Sequence, residues 1–185
     1  LPRGVHSANK NPKTGVEFRG KKGDLYDGGL RIPALAWWPG KIQPGRTSEH
    51  LWYFPDVLPT LAELTGAPIP KDTDGISFLP ELLGKKQKPH DFLYWEIAGQ
   101  TAVREGDWKA YQPSRNGAWE LYDLAQDPSE AHNRAAEKPE ILAKLRARAA
   151  AEHELLGARN LAAAHFDRLR LQHLLQRLDL RRIAK

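Results

Sequence analysis

The chain has 185 residues and a formal net charge of +5, a length that suits either one domain with a core of its own or the end of a larger protein. It contains no cysteine, which excludes disulfides, thiolate metal sites and cysteine nucleophiles within these residues. No run of about 20 apolar residues is present, so no segment reads as a membrane-spanning helix, and no signal peptide opens the chain.

The positive charge is unevenly placed. Up to Glu140 there are 18 basic and 19 acidic residues, whereas Ile141 to Lys185 holds 10 and 4. The body is near neutral and only the last stretch is basic. No aromatic residues alternate with those charges, so the stretch reads as a solvated helix face and no nucleic-acid partner is expected. A chain that begins at Leu1 and has no methionine leads to the expectation of an amino-terminal part upstream.

Residues 1 to 29 are rich in Gly, Lys and Asn, lack apolar periodicity and end in Gly28-Gly29. They read as a long loop, which is uncommon in a compact domain unless it serves a site. Leu30 to Trp38 is apolar enough for a buried strand stopped by Pro39-Gly40, with Pro33 pointing to its start or to an edge. Pro55-Asp56 then opens a helix with Val57, Leu58, Leu61 and Leu64 on one face and Gly66 as its stop. Ser77 can cap a short helix through Leu83 that ends at Gly84.

From Phe92 the pattern changes to short strands: Phe92 to Ile97, Gln100 to Arg104, Trp108 to Gln112 and Trp119 to Leu124. Turn residues separate them, which predicts an antiparallel meander. Trp95, Trp108 and Trp119 are expected to supply much of its buried area, covered by the loop at Asp127-Pro128 and a helix from Pro139. Ile141, Leu142, Leu145 and Ala149 form that helix's inner face. Beyond Gly157, Leu171, Leu174, Leu175 and Leu178 recur at helical spacing. A packing arm, an oligomer contact or a shifted reading frame would each account for that tail.

The segment Phe18 to Pro33 resembles a signature of the sulfatases, the arylsulfatase-type branch of the alkaline phosphatase-like superfamily. Lys22, Tyr26, Asp27, Gly28, Gly29, Arg31 and Pro33 occupy the pattern's positions, with Asp27 where the family more often has glutamate. The resemblance runs on through Trp38-Pro39-Gly40, Asp56 to Leu61, Asp74 to Ser77, Tyr94-Trp95-Glu96, Gly106 to Lys109, Glu120 to Leu124 and Asp127-Pro128. It is colinear over about residues 18 to 150.

The resemblance implies an α/β fold: the last part of an alkaline phosphatase-like domain in residues 1 to 90, then a small antiparallel subdomain with a helix in residues 91 to 156, then a basic helical tail in residues 157 to 185. It implies hydrolysis of sulfate monoesters, aryl or sugar, by a formylglycine nucleophile and calcium. The nucleophile segment and the Asp-Asn pair for calcium lie upstream of this signature in the family, so no metal ligand is expected in this chain. The chain alone is expected to be inactive. Export to the periplasm or outside the cell is favoured by the resemblance only.

A sulfate ester carries a negative charge over its oxygens, and hydrolysis moves more onto the ester oxygen as the S–O bond breaks. A fixed cation therefore helps, and Lys22 is the candidate for binding sulfate and stabilising the leaving group. From charge alone Lys22 reads as a solvated loop lysine; the surrounding pattern assigns it to sulfate. Gly20, Gly23, Gly28 and Gly29 would let the loop turn tightly. Tyr26 and Asp27 are expected to brace it, and Arg31 to form an internal ion pair. The seven histidines lack metal-ligand spacing, and His90 is the one in a body loop that could overhang a substrate pocket. Tyr111 to Arg115 mimics the tail of the formylglycine motif but has tyrosine where cysteine or serine must stand. Two other functions fit parts of the sequence: a phosphoester hydrolase of the same superfamily, and a noncatalytic binding module using the basic terminal helix.

Overall fold

The computed structural model describes residues 10, 11 and 13–157. The second helix expected near Leu171, and the arm, oligomer-contact and reading-frame accounts of the tail, fall outside the described residues. Chain order among the described residues is a one-turn helix α1 (Asp27–Leu30), helix α2 (Val57–Thr65), a short helix α3 (Leu79–Leu82), then strands β1 (Leu93–Ile97), β2 (Gln100–Glu105), β3 (Trp108–Gln112) and β4 (Glu120–Asp123). Helix α4 occupies residues 139–157.

The four strands form an antiparallel sheet in the order β1-β2-β3-β4, the meander that turn spacing predicts. The β1–β2 connection is a two-residue hairpin in which Ala98 and Gly99 both have positive φ, 49° and 79°. That mirror-image turn follows the twist of the strands it joins. Register pairs Ala102 with Tyr111 and Val103 with Ala110 in β2 and β3, and Ala110 with Leu121 in β3 and β4.

Alternation along the strands sends side chains to two covered faces. One face buries Val103, Ala110 and Leu121 against Leu145 and Ala149 of α4, with Ile141, Leu142, Trp108 and Trp119 around them. The other face buries Ala102 and Tyr111 against Leu25, with Tyr26, Leu30 and Trp95 alongside. The sheet is thus sandwiched between α4 and the loop before α1. The tryptophans sit at the margins of these clusters, and the fully buried aromatic residue is Tyr122, at 1% exposure.

One expectation needs correction. Residues 31–38 form no strand among the described residues, and Ile32, Leu35 and Trp37 are 70%, 96% and 83% exposed. A strand exists only through its ladder, and no ladder joins this segment to another described one. Helix α2 forms where it is expected; its leucine face (Leu58, Leu61 and Leu64) is exposed, while Pro59, Thr60 and Ala62 are buried. The Thr60 hydroxyl donates to Asp56 O at 2.7 Å, at the start of its own helix, and accepts the Phe78 N–H at 3.0 Å, which ties that side of α2 to the segment before α3. Gly66, at φ 73°, closes α2 in the left-handed conformation. Gly84 does the same just after α3, at φ 70°.

Candidate functional site

Lys22 stands at the tip of a turn running from Lys21 to Asp24. The Asp24 N–H donates to Lys21 O at 2.9 Å, and the Asp24 carboxylate accepts the Lys21 N–H at 3.0 Å. Gly23 takes φ 95°, a value that disfavours any side chain. Lys22 is exposed and has no hydrogen bond or ion pair among the described residues. Its ammonium is free to meet an anion.

The paired glycines of α1 are fixed by contact. A Cβ on Gly29 would lie 2.1 Å from Asp24 O and 2.6 Å from Lys21 O, the two ends of the Lys22 turn; one on Gly28 would lie 2.5 Å from Arg19 O. Backbone packs directly on backbone, so any side chain at either position would drive the turn off α1. Gly29→Ala should cost roughly 1–3 kcal/mol through overpacking and speed hydrogen exchange at the Asp24 amide. Urea unfolding with exchange mass spectrometry checks this, and a variant as stable and as protected as the parent would contradict it.

Beneath the turn lies a buried ionic cluster. Lys109 Nζ sits 2.8 Å from Asp27 Oδ1 and 2.8 Å from Glu130 Oε1, with side-chain exposures of 0%, 5% and 0%. The first contact is a hydrogen bond; the second is an ion pair at an angle that makes none. Glu130 Oε2 accepts the Asp27 N–H at 2.6 Å, and Arg31 Nε donates to Asp27 Oδ2 at 2.8 Å. Burial works against the Asp27 carboxylate, yet Lys109 and Arg31 together outweigh it and hold its pKa below the ordinary value. At Glu130 burial prevails over Lys109 and the pKa rises. Glu130 also has positive φ, 53°, an uncommon conformation for a non-glycine residue.

A second set of contacts grips the loop from β4. Arg19 Nη1 donates to the Tyr122 hydroxyl at 2.9 Å and to Glu130 O at 3.1 Å, and its guanidinium lies 4.1 Å from the Tyr26 ring centroid. The Tyr26 and Tyr122 hydroxyls both donate to Glu120 Oε2, each at 2.6 Å. Residues 18–31 are therefore anchored on the sheet's second face.

The structure brings Lys22, Gly23, Tyr26, Asp27, Gly28, Gly29 and Arg31 together, and puts His90 elsewhere. His90 Nε2 lies 2.9 Å from both oxygens of Asp56, and the side chain is 8% exposed. Asp56 in turn accepts the Tyr53 and Ile76 N–H groups, so the ring helps to close a loop junction. Tyr111 lies in β3, where burial pushes its phenol up to about 12, and it donates to Gln100 Oε1 at 2.7 Å. A phenol so held is protonated at neutral pH and is no nucleophile.

Sequence reasoning gave no role to Arg19, Glu120, Tyr122 or Glu130, and quoted Lys109 only as part of a pattern. One signal existed: in β3, Lys109 shares a face with Tyr111, so a lysine alternates with an aromatic residue on a strand whose other face holds Ala110. Among the described residues no group of three or more His, Cys, Asp or Glu could hold a metal ion, and the Asp27 and Glu130 carboxylates are engaged by Lys109. These residues do not fit a calcium site. No helix among them is long and apolar enough to cross a membrane.

Residues 20–154 match the family model described as N-sulphoglucosamine sulphohydrolase, C-terminal. Human arylsulfatase A is 36% identical over 182 residues, covering 77% of this chain and 36% of that protein. An N-acetylgalactosamine-6-O-sulfatase of Bacteroides thetaiotaomicron is 33% identical over 145 residues, covering 69% and 28%. A solved structure from work on the metabolism of multiple glycosaminoglycans by Bacteroides thetaiotaomicron superposes with TM-score 0.62 at 30% identity, covering 70% of this chain and 30% of that one. The chain spans about a third of the length of these relatives. A family model covering most of the sequence, together with a fold shared at TM-score 0.62 with a solved structure, makes the chain a member of the sulfatase family, corresponding to its carboxy-terminal portion.

Proposed function

We propose that this chain supplies the sulfate-gripping side of a sulfate-ester hydrolase, with Lys22 as the cation that holds the sulfate oxygens and steadies charge on the departing ester oxygen. The observation that carries this is an unpaired ammonium at the tip of a turn whose flanks are locked to a buried scaffold. Preorganisation matters because a donor already in place needs no rearrangement as charge develops. In this reading residues 1–90 end the catalytic domain and residues 91–156 form the small subdomain that supports it. A formylglycine nucleophile and calcium would be carried by another part of the protein and would supply the attack on sulfur. What these residues do is bind, orient and neutralise.

Relatives named for aryl and for amino-sugar sulfates suggest the substrates to try. The full-length gene product, given an aryl sulfate, a 6-O-sulfated amino sugar and the matching phosphate esters, should release inorganic sulfate from one of the first two. The 185 residues alone should release none. Phosphate release without sulfate release, or turnover by the isolated 185 residues, would overturn the proposal.

A further inference from the structure

Gln100 opens β2, directly after the hairpin, and its side chain reaches across to the Lys22 turn. Its Nε2 donates to Gly23 O at 2.8 Å, and its Oε1 accepts the Leu25 N–H at 3.3 Å. One amide thus spans the two residues on either side of Asp24, next to Lys22. The Tyr111 hydroxyl, from the neighbouring strand, donates to the same Oε1 at 2.7 Å. The Leu25 N–H can only donate and Gly23 O can only accept, which settles which end of the amide faces which way, and the hydroxyl adds a second donor to the carbonyl oxygen.

These bonds are separate from the Asp27–Lys109–Glu130 cluster, which holds α1 and so the base of the loop. Nothing in that cluster touches Gly23. The turn's own bonds, Asp24 N–H to Lys21 O and Lys21 N–H to the Asp24 carboxylate, fix its shape but not its direction. Gly29 of α1 packs against both ends of the turn, at Lys21 O and Asp24 O, whereas Gly23 at its tip has positive φ and lies beyond that contact, so a hold on Gly23 adds to what α1 provides. Among the described residues, the side-chain hydrogen bonds reaching Gly23 O and the Leu25 N–H come from Gln100.

We propose that Gln100 is a positioning residue for the reaction: a side-chain amide, oriented by Tyr111, that cinches Gly23 and Leu25 and so sets the direction in which Lys22 meets the sulfate group. This rests on the sulfate-binding role given to Lys22. It adds that the small sheet does more than close the core, because one of its strand ends determines where the ammonium points. Gln100 touches neither substrate nor reacting atoms, and it acts only through Lys22.

The test is a double-mutant cycle in the full-length gene product, using an aryl sulfate as probe. Gln100→Ala should lower kcat/KM roughly 10- to 100-fold, the scale of loss expected from misplacing a catalytic group by about 1 Å. Tyr111→Phe, which removes only the orienting hydroxyl, should lower it less. In a Lys22→Ala background, Gln100→Ala should change nothing further. Hydrogen exchange at the Leu25 amide should quicken in Gln100→Ala while amides paired between β2 and β3 stay protected, which separates a loosened turn from a loosened fold. An equal loss in both backgrounds would overturn the inference, as would an unchanged kcat/KM where Lys22→Ala is impaired. Undiminished turnover in Lys22→Ala would instead remove the sulfate reading itself, and this role with it.

Discussion

Lys22→Ala in the full-length gene product should lower kcat for sulfate-ester hydrolysis about a hundred- to a thousandfold, the loss seen when one preorganised charge-stabilising donor is removed. Stability should hardly move, because Lys22 is exposed and no partner is left unpaired by its removal. That combination separates the reading from its rivals: a solvated loop lysine would change neither quantity, and a structural one would change stability first. Lys22→Arg should recover only part of the rate, since a planar fork cannot present charge from the same point as a compact ammonium. Steady-state kinetics beside urea unfolding provide the measurement. A variant with parental kcat and parental stability would return Lys22 to an ordinary surface role.

Lys109→Met should act in the opposite way, with its main effect on folding. Lys109 is fully buried between Asp27 and Glu130, and removing one member of such a set strands the remaining charges away from water, a loss of about 3 to 5 kcal/mol. Asp27 keeps Arg31, so Glu130 suffers most. Adding Glu130→Gln should restore part of the loss, because glutamine carries no charge but can still accept the Asp27 N–H. The effect depends on pH. In the parent chain Asp27 titrates below its ordinary value, so its contribution is present above its unfolded pKa and is lost as pH falls through the folded one. In Lys109→Met the stranded carboxylates titrate high instead, and the folded variant takes up protons on acidification. Its deficit should therefore shrink from neutral pH toward the carboxylate range. Urea midpoints at several pH values test this, and a deficit constant with pH would argue that packing, not charge, is what Lys109 contributes.

Local rules made much of this legible from sequence. Turn residues at Gly99, Gly106 and Gly117 marked off the strands and implied their antiparallel order, and Leu145 and Ala149 announced the helix that covers one face. Lys22 stood out because its glycine, tyrosine and acid neighbours keep a specific spacing. Two things were beyond reach. Leu30 to Trp38 has the composition of a buried strand, but composition does not say whether a neighbour is present to pair with it. Lys109 alternates as a solvent-facing residue should, and only the return of residues 18–31 over that face turns it into the most enclosed cation among the described residues. Long-range partners such as Asp27 with Glu130, 103 residues apart, leave no periodic trace. The Asp56 carboxylate against the His90 ring, 34 residues away, leaves no periodic trace either.

The same separation has a consequence for biosynthesis. Asp27 leaves the ribosome 103 residues ahead of the carboxylate that receives its N–H, and Arg19 precedes its acceptor carbonyl by 111. At about 5–20 residues per second the nascent glycine-rich segment waits roughly 5 to 20 s for the residues that finish it. Throughout that interval it must stay unaggregated without its final contacts, which its hydrophilic, glycine-punctuated composition allows. A ribosome that stops before Glu130 would release a product whose lysine turn had never been set.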